Sequence, residues 1–174
     1  MSFDFTILDA IQGFRTPVFD NFILLITSLA SYVWYILIIG FLLNKPTRKL
    51  GVILAVAMIL QYLINGGILK HLFARVRPCN VDTTVDLLIK RPKGFSFPSG
   101  HSAAAFCAVG VLYGAKIKKL FWPVLVLAYL IAFSRLYLYV HFPTDVLAGA
   151  LCGFLIGYGV WRAFVICMRN KKLY

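Results

Sequence analysis

The residues best suited to chemistry in this sequence lie in the segment 134–145, which reads SRLYLYVHFPTD. Pro143 fits the first turn of a helix, where its missing N–H leaves no hydrogen bond unmade, so Asp145 should lie in that turn. His141 precedes Asp145 by four residues. The carboxylate could then accept a hydrogen bond from one imidazole nitrogen and make the other a better nucleophile or base. Arg135 could stabilise negative charge on a transferred group. A buried His–Asp pair that only joins two helices is the alternative.

A second cluster is the sequence PSGH at 98–101, directly before an apolar run. Ser99 fits the N-cap position of a helix, and Gly100 lets an anion approach the backbone. His101 would lie one step further into the helix, where it could give or take a proton. An ordinary capped helix with an incidental histidine is the alternative.

A third cluster, KHLFARVRP at 70–78, carries the cations Lys70 and Arg77 seven residues apart. Seven residues make about two helical turns, so both side chains could point the same way. Together they could bind a phosphate, Lys as a compact charge and Arg as a planar fork. Snorkelling of both side chains to lipid head groups is the alternative.

The composition indicates that membrane helices must position these clusters. Of 174 residues, 61% are hydrophobic, against about 45–50% in soluble domains. A chain this short has too little interior to bury so much apolar surface, which indicates lipid as its solvent and one domain over residues 1–174. The formal net charge of +12 fits either nucleic acid or an anionic membrane surface, and the hydrophobicity favours the membrane.

The cysteines and the first residues exclude several other classes of protein. Cys79, Cys107, Cys152 and Cys167 have neither metal-ligand spacing nor a disulfide framework, which predicts buried, inert thiols and no bound metal. Acidic residues near the N-terminus, with no long apolar run close behind them, argue against a cleaved signal peptide.

Five segments are candidate spans, because about 20 apolar residues at about 1.5 Å each cover a hydrocarbon core of about 30 Å. They are 21–43, 50–69, 99–114, 120–140 and 144–167, of which 99–114 is short. Residues 3–14 place Phe3, Ile7, Leu8 and Ile11 on one helical face, which predicts an interfacial helix within residues 1–20. The segment 70–98 is predicted to be a long outer loop. The fold class is therefore an all-α integral membrane protein, a bundle of five to six transmembrane helices with an N-terminal interfacial helix.

Basic residues at three junctions predict the orientation of this bundle. They are Lys45, Arg48, Lys49, Lys116, Lys118, Lys119, Arg169, Lys171 and Lys172. Lys and Arg accumulate on the cytoplasmic side, so the three polar clusters should lie together on the outer side, where all six aspartates also fall. The segment 70–98 is basic despite being on that side, which indicates a functional anion site.

All three clusters together resemble the signature of the type 2 phosphatidic acid phosphatase superfamily. Its pattern is K-x6-R-P, then P-S-G-H, then S-R-x5-H-x3-D, and every fixed position is present in order between residues 70 and 145. The resemblance implies a bundle of about six helices with its site near the outer membrane surface.

The resemblance also implies a role for each residue of the clusters. His141 attacks phosphorus and becomes a phosphohistidine, Asp145 orients His141, and His101 protonates the leaving oxygen and then helps to activate water. The phosphoryl oxygens are held by Lys70, Arg77, Ser99, Gly100 and Arg135. No metal or other cofactor is implied, because cations and helix N–H groups do the electrostatic work.

The predicted function is hydrolysis of a lipid phosphate or diphosphate at the outer face of a bacterial cytoplasmic (inner) membrane. Similar family members often act on undecaprenyl diphosphate, and others act on phosphatidylglycerol phosphate, phosphatidic acid or lipid A phosphates. A lipid phosphotransferase, a non-enzymatic lipid-binding or transport protein and a purely structural membrane protein are the alternatives; a soluble vanadate haloperoxidase is disfavoured by composition. Gln61 and Asn65 are predicted to bond between helices rather than to line a head-group pocket.

Overall fold

A computed structural model describes residues 3–170, and the regular structure of this part of the chain is entirely helical. The helices are α1 (Phe3–Gln12), α2 (Pro17–Leu43), α3 (Arg48–Gln61), α4 (Lys70–Phe73), α5 (Pro78–Val81), α6 (Gly100–Gly114), α7 (Lys118–Tyr137) and α8 (Pro143–Asn170). A π-helical segment, Tyr62–Leu69, joins α3 to α4. The predicted all-α fold class is confirmed.

Within residues 3–170, four helical segments are long and apolar enough to cross a membrane, namely Pro17–Leu43, Lys45–Val81, Lys118–Tyr137 and Pro143–Asn170. The fifth apolar helix, α6, has only 15 residues, or about 22 Å at 1.5 Å per residue. It tolerates this length because it lies inside the bundle, with ten of its residues buried. The chain is a multi-pass membrane protein.

Glycines bring α6 and α8 into backbone contact. Gly149, Gly153 and Gly157 recur every four residues, so they share one face of α8. A Cβ atom added to them would lie 2.4, 2.0 and 2.1 Å from backbone oxygens of α6 and its N-cap, which are those of Ser99, Ala103 and Cys107. The contacted residues advance in the same direction on both helices, so α6 and α8 run parallel and begin at the same end of the bundle. Such close approach requires small residues.

The N-terminal helix α1 packs over the turn between α7 and α8. Gln12 Nε2 donates to the Tyr137 carbonyl oxygen at 2.9 Å, and the Tyr139 hydroxyl donates to Asp9 Oδ1 at 2.8 Å. Leu8 is fully buried in the same cluster of apolar side chains. The helix predicted to be interfacial is therefore anchored to protein as well as being amphipathic.

Several boundaries differ from those predicted. Helix α7 ends at Tyr137 instead of near 140, because Tyr139 adopts φ +56° and turns the chain back. The segment 70–98 is not loop throughout, since it contains α4 and α5. Cys167 is exposed on α8, so the prediction that all the thiols are buried is wrong. The predicted cytoplasmic residues Lys171 and Lys172 lie outside the described residues.

Candidate active site

The three sequence clusters meet at one end of the bundle. The backbone N–H of Ser99, at the start of α6, donates to the backbone oxygen of Asp145, at the start of α8, at 2.9 Å. The electrostatic neighbours of His101 are Arg135, His141, Arg77 and Lys70. Parallel α6 and α8 therefore place the second and third clusters side by side. Lys70 and Arg77 of the first cluster lie near both histidines.

His141 lies in the turn before α8 and is almost completely buried. Its Nε2 atom lies 3.2 Å from Arg77 Nη1. Since a guanidinium can only donate, Nε2 must carry the lone pair and Nδ1 the proton in the neutral ring. Burial lowers the pKa of His141 to about 4, so the ring is neutral near pH 7. The arrangement leaves a nucleophilic nitrogen facing a cation.

The Nδ1 atom of His141 faces Asp145 Oδ2 at 3.6 Å. This distance exceeds that of a hydrogen bond, and Nδ1 has no hydrogen-bond partner among the described residues. Nδ1 of His141 thus points toward Asp145 as predicted, but the two groups do not form a hydrogen bond. Asp145 Oδ2 accepts instead from the backbone N–H of Phe142 at 2.9 Å, and Oδ1 accepts from Arg75 Nη1 at 2.7 Å.

Lys70 and Arg77 reach the site from different backbone segments. They do not share one helix, because Ala74 adopts the left-handed φ of +43° and ends α4. Arg77 donates from Nη1 to the Val140 carbonyl oxygen at 2.9 Å and from Nε to that of Gly94 at 3.0 Å. Lys70 Nζ donates to the carbonyl oxygen of Phe95 at 2.7 Å. Both cations therefore also tether the loop before α6.

Arg135 is buried near the end of α7. Its Nε and Nη2 atoms donate to Ser134 Oγ at 3.1 and 3.0 Å, and Nη2 also donates to the hydroxyl of Thr27 on α2. Arg77 is an electrostatic neighbour of Arg135. Two buried guanidinium groups close together form a site suited to an anion, because each charge lacks a carboxylate of its own within salt-bridge distance among the described residues.

The start of α6 has the predicted cap. Ser99 is the N-cap residue, and its hydroxyl accepts from the Ser102 N–H at 3.5 Å and contacts the Ser102 hydroxyl at 3.0 Å. A Cβ atom added to Gly100 would meet nothing within 4 Å, so space remains above the backbone here. Unpaired N–H groups at such a helix start can bind phosphoryl oxygens.

A cavity of about 570 Å³ extends from Lys70, Gly100 and His101 between α2, α3, the π-helical segment and α6. Its wall is mainly apolar and aromatic and includes Trp34, Tyr35, Met58, Ile59 and Tyr62. Several of these side chains are also exposed on the bundle surface. The polar end of the site is thus continuous with a groove in the membrane-facing wall of the protein.

Gln61 and Asn65 do not behave as predicted. Gln61 lines the cavity, and Asn65 Nδ2 donates to the Gln61 backbone oxygen of its own helical segment at 3.2 Å. Neither side chain makes a hydrogen bond to another helix within the part of the chain that the structure describes. The prediction of interhelical bonding is wrong, and the head-group alternative fits the position of Gln61 better.

Comparison with known proteins decides the family. Residues 50–169 match the family model described as the PAP2 superfamily, which is well over half of the chain. The chain belongs to the PAP2 superfamily. The name PAP2 denotes the type 2 phosphatidic acid phosphatases whose signature the three clusters resemble.

Three PAP2 relatives show how far the likeness extends. An undecaprenyl-diphosphatase of Sulfolobus acidocaldarius is 32% identical over 128 residues, covering 74% of this chain and 62% of that protein. The crystal structure of Aquifex aeolicus LpxE matches with a TM-score of 0.81 and 29% identity, covering 93% of this chain and 96% of that one. A PAP2-type phosphatidylglycerolphosphate phosphatase from Bacillus subtilis matches with a TM-score of 0.76 and 30% identity, covering 98% and 86%. This chain spans less than two thirds of the length of the Sulfolobus relative.

Two residues at this PAP2 site were missed by the sequence analysis. Arg75 lies within the variable positions of the K-x6-R-P pattern, yet it holds Asp145 at 2.7 Å. Thr27 lies in an apolar span far from the clusters, yet it bonds Arg135. Arg75 could have been noticed as a third basic residue near Lys70 and Arg77, whereas nothing in the sequence pointed to Thr27. Among the described residues, no three His, Cys, Asp or Glu side chains are grouped to hold a metal ion.

Proposed function

We propose that this PAP2 protein is a lipid phosphatase in which His141 is the nucleophile. The observation that carries this proposal is the environment of His141, whose Nε2 lies 3.2 Å from Arg77 and whose Nδ1 points to Asp145. A purely structural His–Asp pair would not need a cation against its free nitrogen. The same geometry argues against simple lipid binding, since a phosphate held by Arg77 would lie next to a neutral, unprotonated nitrogen.

The reaction proceeds in two transfers at phosphorus. First, Nε2 of His141 forms a bond to phosphorus and the bond from phosphorus to the lipid oxygen breaks. His101, which takes up a proton when the anionic phosphate binds beside it, gives that proton to the lipid oxygen. The positive phosphohistidine that results is stabilised by Asp145. Water then attacks phosphorus, neutral His101 takes its proton, and the electron pair of the N–P bond returns to Nε2. The lipid product and inorganic phosphate are released.

The remaining predicted site residues stabilise charge on the transferred group. Lys70, Arg77 and Arg135 bind the equatorial oxygens together with N–H groups at Gly100 and the start of α6, which Ser99 caps. In phosphoryl transfer such fixed cations and dipoles supply most of the catalysis. No metal ion is required in this mechanism.

The substrate proposed first is undecaprenyl diphosphate, converted to undecaprenyl phosphate. A groove that runs from His101 along membrane-facing aromatic side chains supports a lipid tail, and the Sulfolobus relative is named for this diphosphate. Phosphatidylglycerol phosphate, phosphatidic acid and lipid A phosphate are the alternative substrates, and transfer of the phosphoryl group to another lipid is the alternative reaction. The positive-inside distribution supports an active site on the outer face of a bacterial cytoplasmic membrane.

The test is phosphate release by purified protein in detergent with excess EDTA. Undecaprenyl diphosphate, phosphatidylglycerol phosphate and phosphatidic acid are compared side by side, and the expected result is metal-free release from the diphosphate. His141→Gln should lower the rate by about 10⁴-fold or more while the protein stays folded. Normal release by a well-folded His141→Gln protein would refute the nucleophile, and transfer without free phosphate would establish a phosphotransferase.

A further inference from the structure

The carboxylate of Asp145 is held by groups other than His141. Its side chain is fully buried. Oδ1 accepts from Arg75 Nη1 at 2.7 Å and Oδ2 from the Phe142 N–H at 2.9 Å, while His141 Nδ1 lies further away, at 3.6 Å. Of these contacts, the one to Arg75 is both the shortest and the one with opposite full charges. The position of Asp145 is therefore set mainly by Arg75.

Arg75 is itself fixed on several sides. Nη1 also donates to Thr144 Oγ1 at 2.7 Å, and Nη2 donates to Asp4 Oδ2 of α1 at 2.7 Å. The guanidinium carbon lies 4.0 Å from the centroid of the Phe142 ring. A planar guanidinium with carboxylates on two of its nitrogens has a defined orientation, which an ammonium group cannot reproduce.

We infer that Arg75 is a positioning residue for the His141–Asp145 pair, and that Asp4 makes helix α1 part of the active site by orienting Arg75. This inference rests on the proposed role of His141 as the nucleophile. The chain of contacts is Asp4, Arg75, Asp145 and then His141, and it links the first helix of the chain to the nucleophile. Arg75 does not need to touch the substrate for this role.

The physical reason is that a fully buried carboxylate is held in place by its hydrogen-bond donors. Without Arg75, Asp145 would lose its charge partner in a buried place, a costly state that the side chain would relieve by moving. Any such movement changes the orientation of the His141 ring, because Asp145 faces its Nδ1 proton. The direction in which the Nε2 lone pair points then changes as well. Misplacement by about 1 Å at a reacting group can cost about 10²-fold in rate.

The opposing interpretation is that Arg75, whose side chain is 32% exposed, binds the substrate phosphate directly. The two roles differ in their kinetic signature. Loss of a phosphate contact that is equally strong in the ground state and the transition state raises KM, whereas loss of positioning lowers kcat with KM little changed. A phosphate contact made only in the transition state would also lower kcat, and the ring resonances of His141 in the substrate-free protein separate that case from positioning.

The experiment compares four variants of the full chain in detergent with the lipid on which the wild type is active. Arg75→Ala is expected to lower kcat by about 10²-fold with KM changed less than about threefold. Arg75→Lys keeps the charge without the fork and should recover part of the loss. Asp4→Asn should lower kcat several-fold, and this effect should vanish when it is combined with Arg75→Ala, since the two residues act through one contact.

Asp9→Asn is the matched control. Asp9 also anchors α1, through the Tyr139 hydroxyl at 2.8 Å, but it does not contact Arg75 or Asp145. Its kcat should equal that of the wild type. An equal loss in Asp9→Asn and Asp4→Asn would show that only the docking of α1 matters and would overturn the inference. Wild-type kcat in Arg75→Ala, or a rise in KM alone, would overturn it as well.

A second readout does not depend on turnover. The ¹⁵N resonances of the His141 ring should shift in Arg75→Lys and Asp4→Asn and stay in place in Asp9→Asn. Unchanged resonances in the first two variants would overturn the inference even if the wild type releases no phosphate. Absence of release by the wild type would count against the proposed function alone.

Discussion

At the level of single residues, His141 is placed between groups of opposite charge. Arg77 lies 3.2 Å from one ring nitrogen and Asp145 lies 3.6 Å from the other. Arg77 favours a lone pair on Nε2, and Asp145 favours a proton on Nδ1, so both neighbours select the same tautomer. The buried position of the ring keeps it uncharged, which is the form that can attack phosphorus.

We expect His141 to remain neutral well below the pH at which exposed histidines become protonated. Burial is the main cause, and Arg77 and Lys70 add to it against the opposing charge of Asp145, so that its pKa is about 4. A lowered pKa means that the charged form appears only as the pH falls toward that value. The measurement is a ¹⁵N titration of the ring in detergent between pH 3.5 and 8, with assignment from His141→Gln. Protonation centred near pH 6.5 would contradict the buried, cation-flanked environment.

Removal of the Arg135 side chain should lower kcat by about 10²–10³-fold, or about 2.7–4 kcal/mol, if it holds a phosphoryl oxygen in the transition state. The check is kcat for Arg135→Ala on the preferred lipid. Thr27→Val is the matched control, because it removes a neutral partner of Arg135 but leaves the guanidinium in the site. A loss below tenfold in Arg135→Ala would place this residue outside the phosphate site.

The sequence predicted the residue types of the site better than their contacts. The spacing of His141 and Asp145 correctly places the carboxylate in the first turn of α8, because Pro143 starts that helix. It could not show that Arg75 occupies Oδ1 of Asp145, since that contact depends on the left-handed turn at Ala74. The bond from Thr27 to Arg135 joins residues 108 positions apart and depends on how α2 packs against α7.

At the level of helices, the contact between α6 and α8 decides how the two halves of the site face each other. The glycines of α8 allow the backbones to touch, and the Ser99 N–H to Asp145 oxygen bond ties the two helix starts together. The relative position of His101 and Asp145 is therefore fixed mainly by backbone atoms. Side-chain flexibility contributes less to it.

Gly153→Ala should destabilise the protein, because the new Cβ atom would lie 2.0 Å from the Ala103 backbone oxygen and force the helices apart. Overpacking of this kind typically costs about 1–3 kcal/mol. Gly159→Ala on the same helix is the control, since its Cβ atom would meet nothing within 4 Å. Thermal unfolding in detergent should show a clearly lower Tm for Gly153→Ala and an unchanged or higher one for Gly159→Ala. Equal Tm values would contradict the close α6–α8 contact.

Helix existence was predictable from hydrophobic length, but one departure from regular α-helix was not. The apolar runs at 21–43 and 144–167 correspond to α2 and α8. Helix α2 begins earlier than predicted, at Pro17, because Thr16 caps it, and α8 begins at Pro143 and continues to Asn170. The π-helical segment Tyr62–Leu69 has the same apolar character as an ordinary span. Asn65 is fully buried within this segment, and composition alone carries no signal for π-helical geometry.

At the level of the whole molecule, all three clusters lie at the end of the bundle where α6 and α8 begin. The positive-inside distribution predicts that this end faces outward. The far end carries two exposed basic residues, Lys116 in the connection from α6 to α7 and Lys119 in the first turn of α7. The two ends can therefore be distinguished chemically in intact cells.

Residue 86 should be accessible from outside the cell and residue 116 should not. Asp86→Cys and Lys116→Cys, each in a background without the native cysteines, are treated with a membrane-impermeant maleimide. Both positions are exposed, so only the membrane should distinguish them. Labelling of Asp86→Cys in intact cells, and of Lys116→Cys only after permeabilisation, is expected. The reverse pattern would place the site in the cytoplasm and require a substrate on that side.

The packing of α1 over the α7–α8 turn has a consequence for biosynthesis. Translation produces Asp9 and Gln12 first, but their partners Tyr139 and Tyr137 follow 130 and 125 residues later. The ribosome must therefore synthesise the chain at least through Tyr139 before α1 can dock and His141 acquires its final surroundings. A nascent chain that still lacks its last helix has no Asp145, so the proposed lipid turnover cannot begin before that helix is inserted.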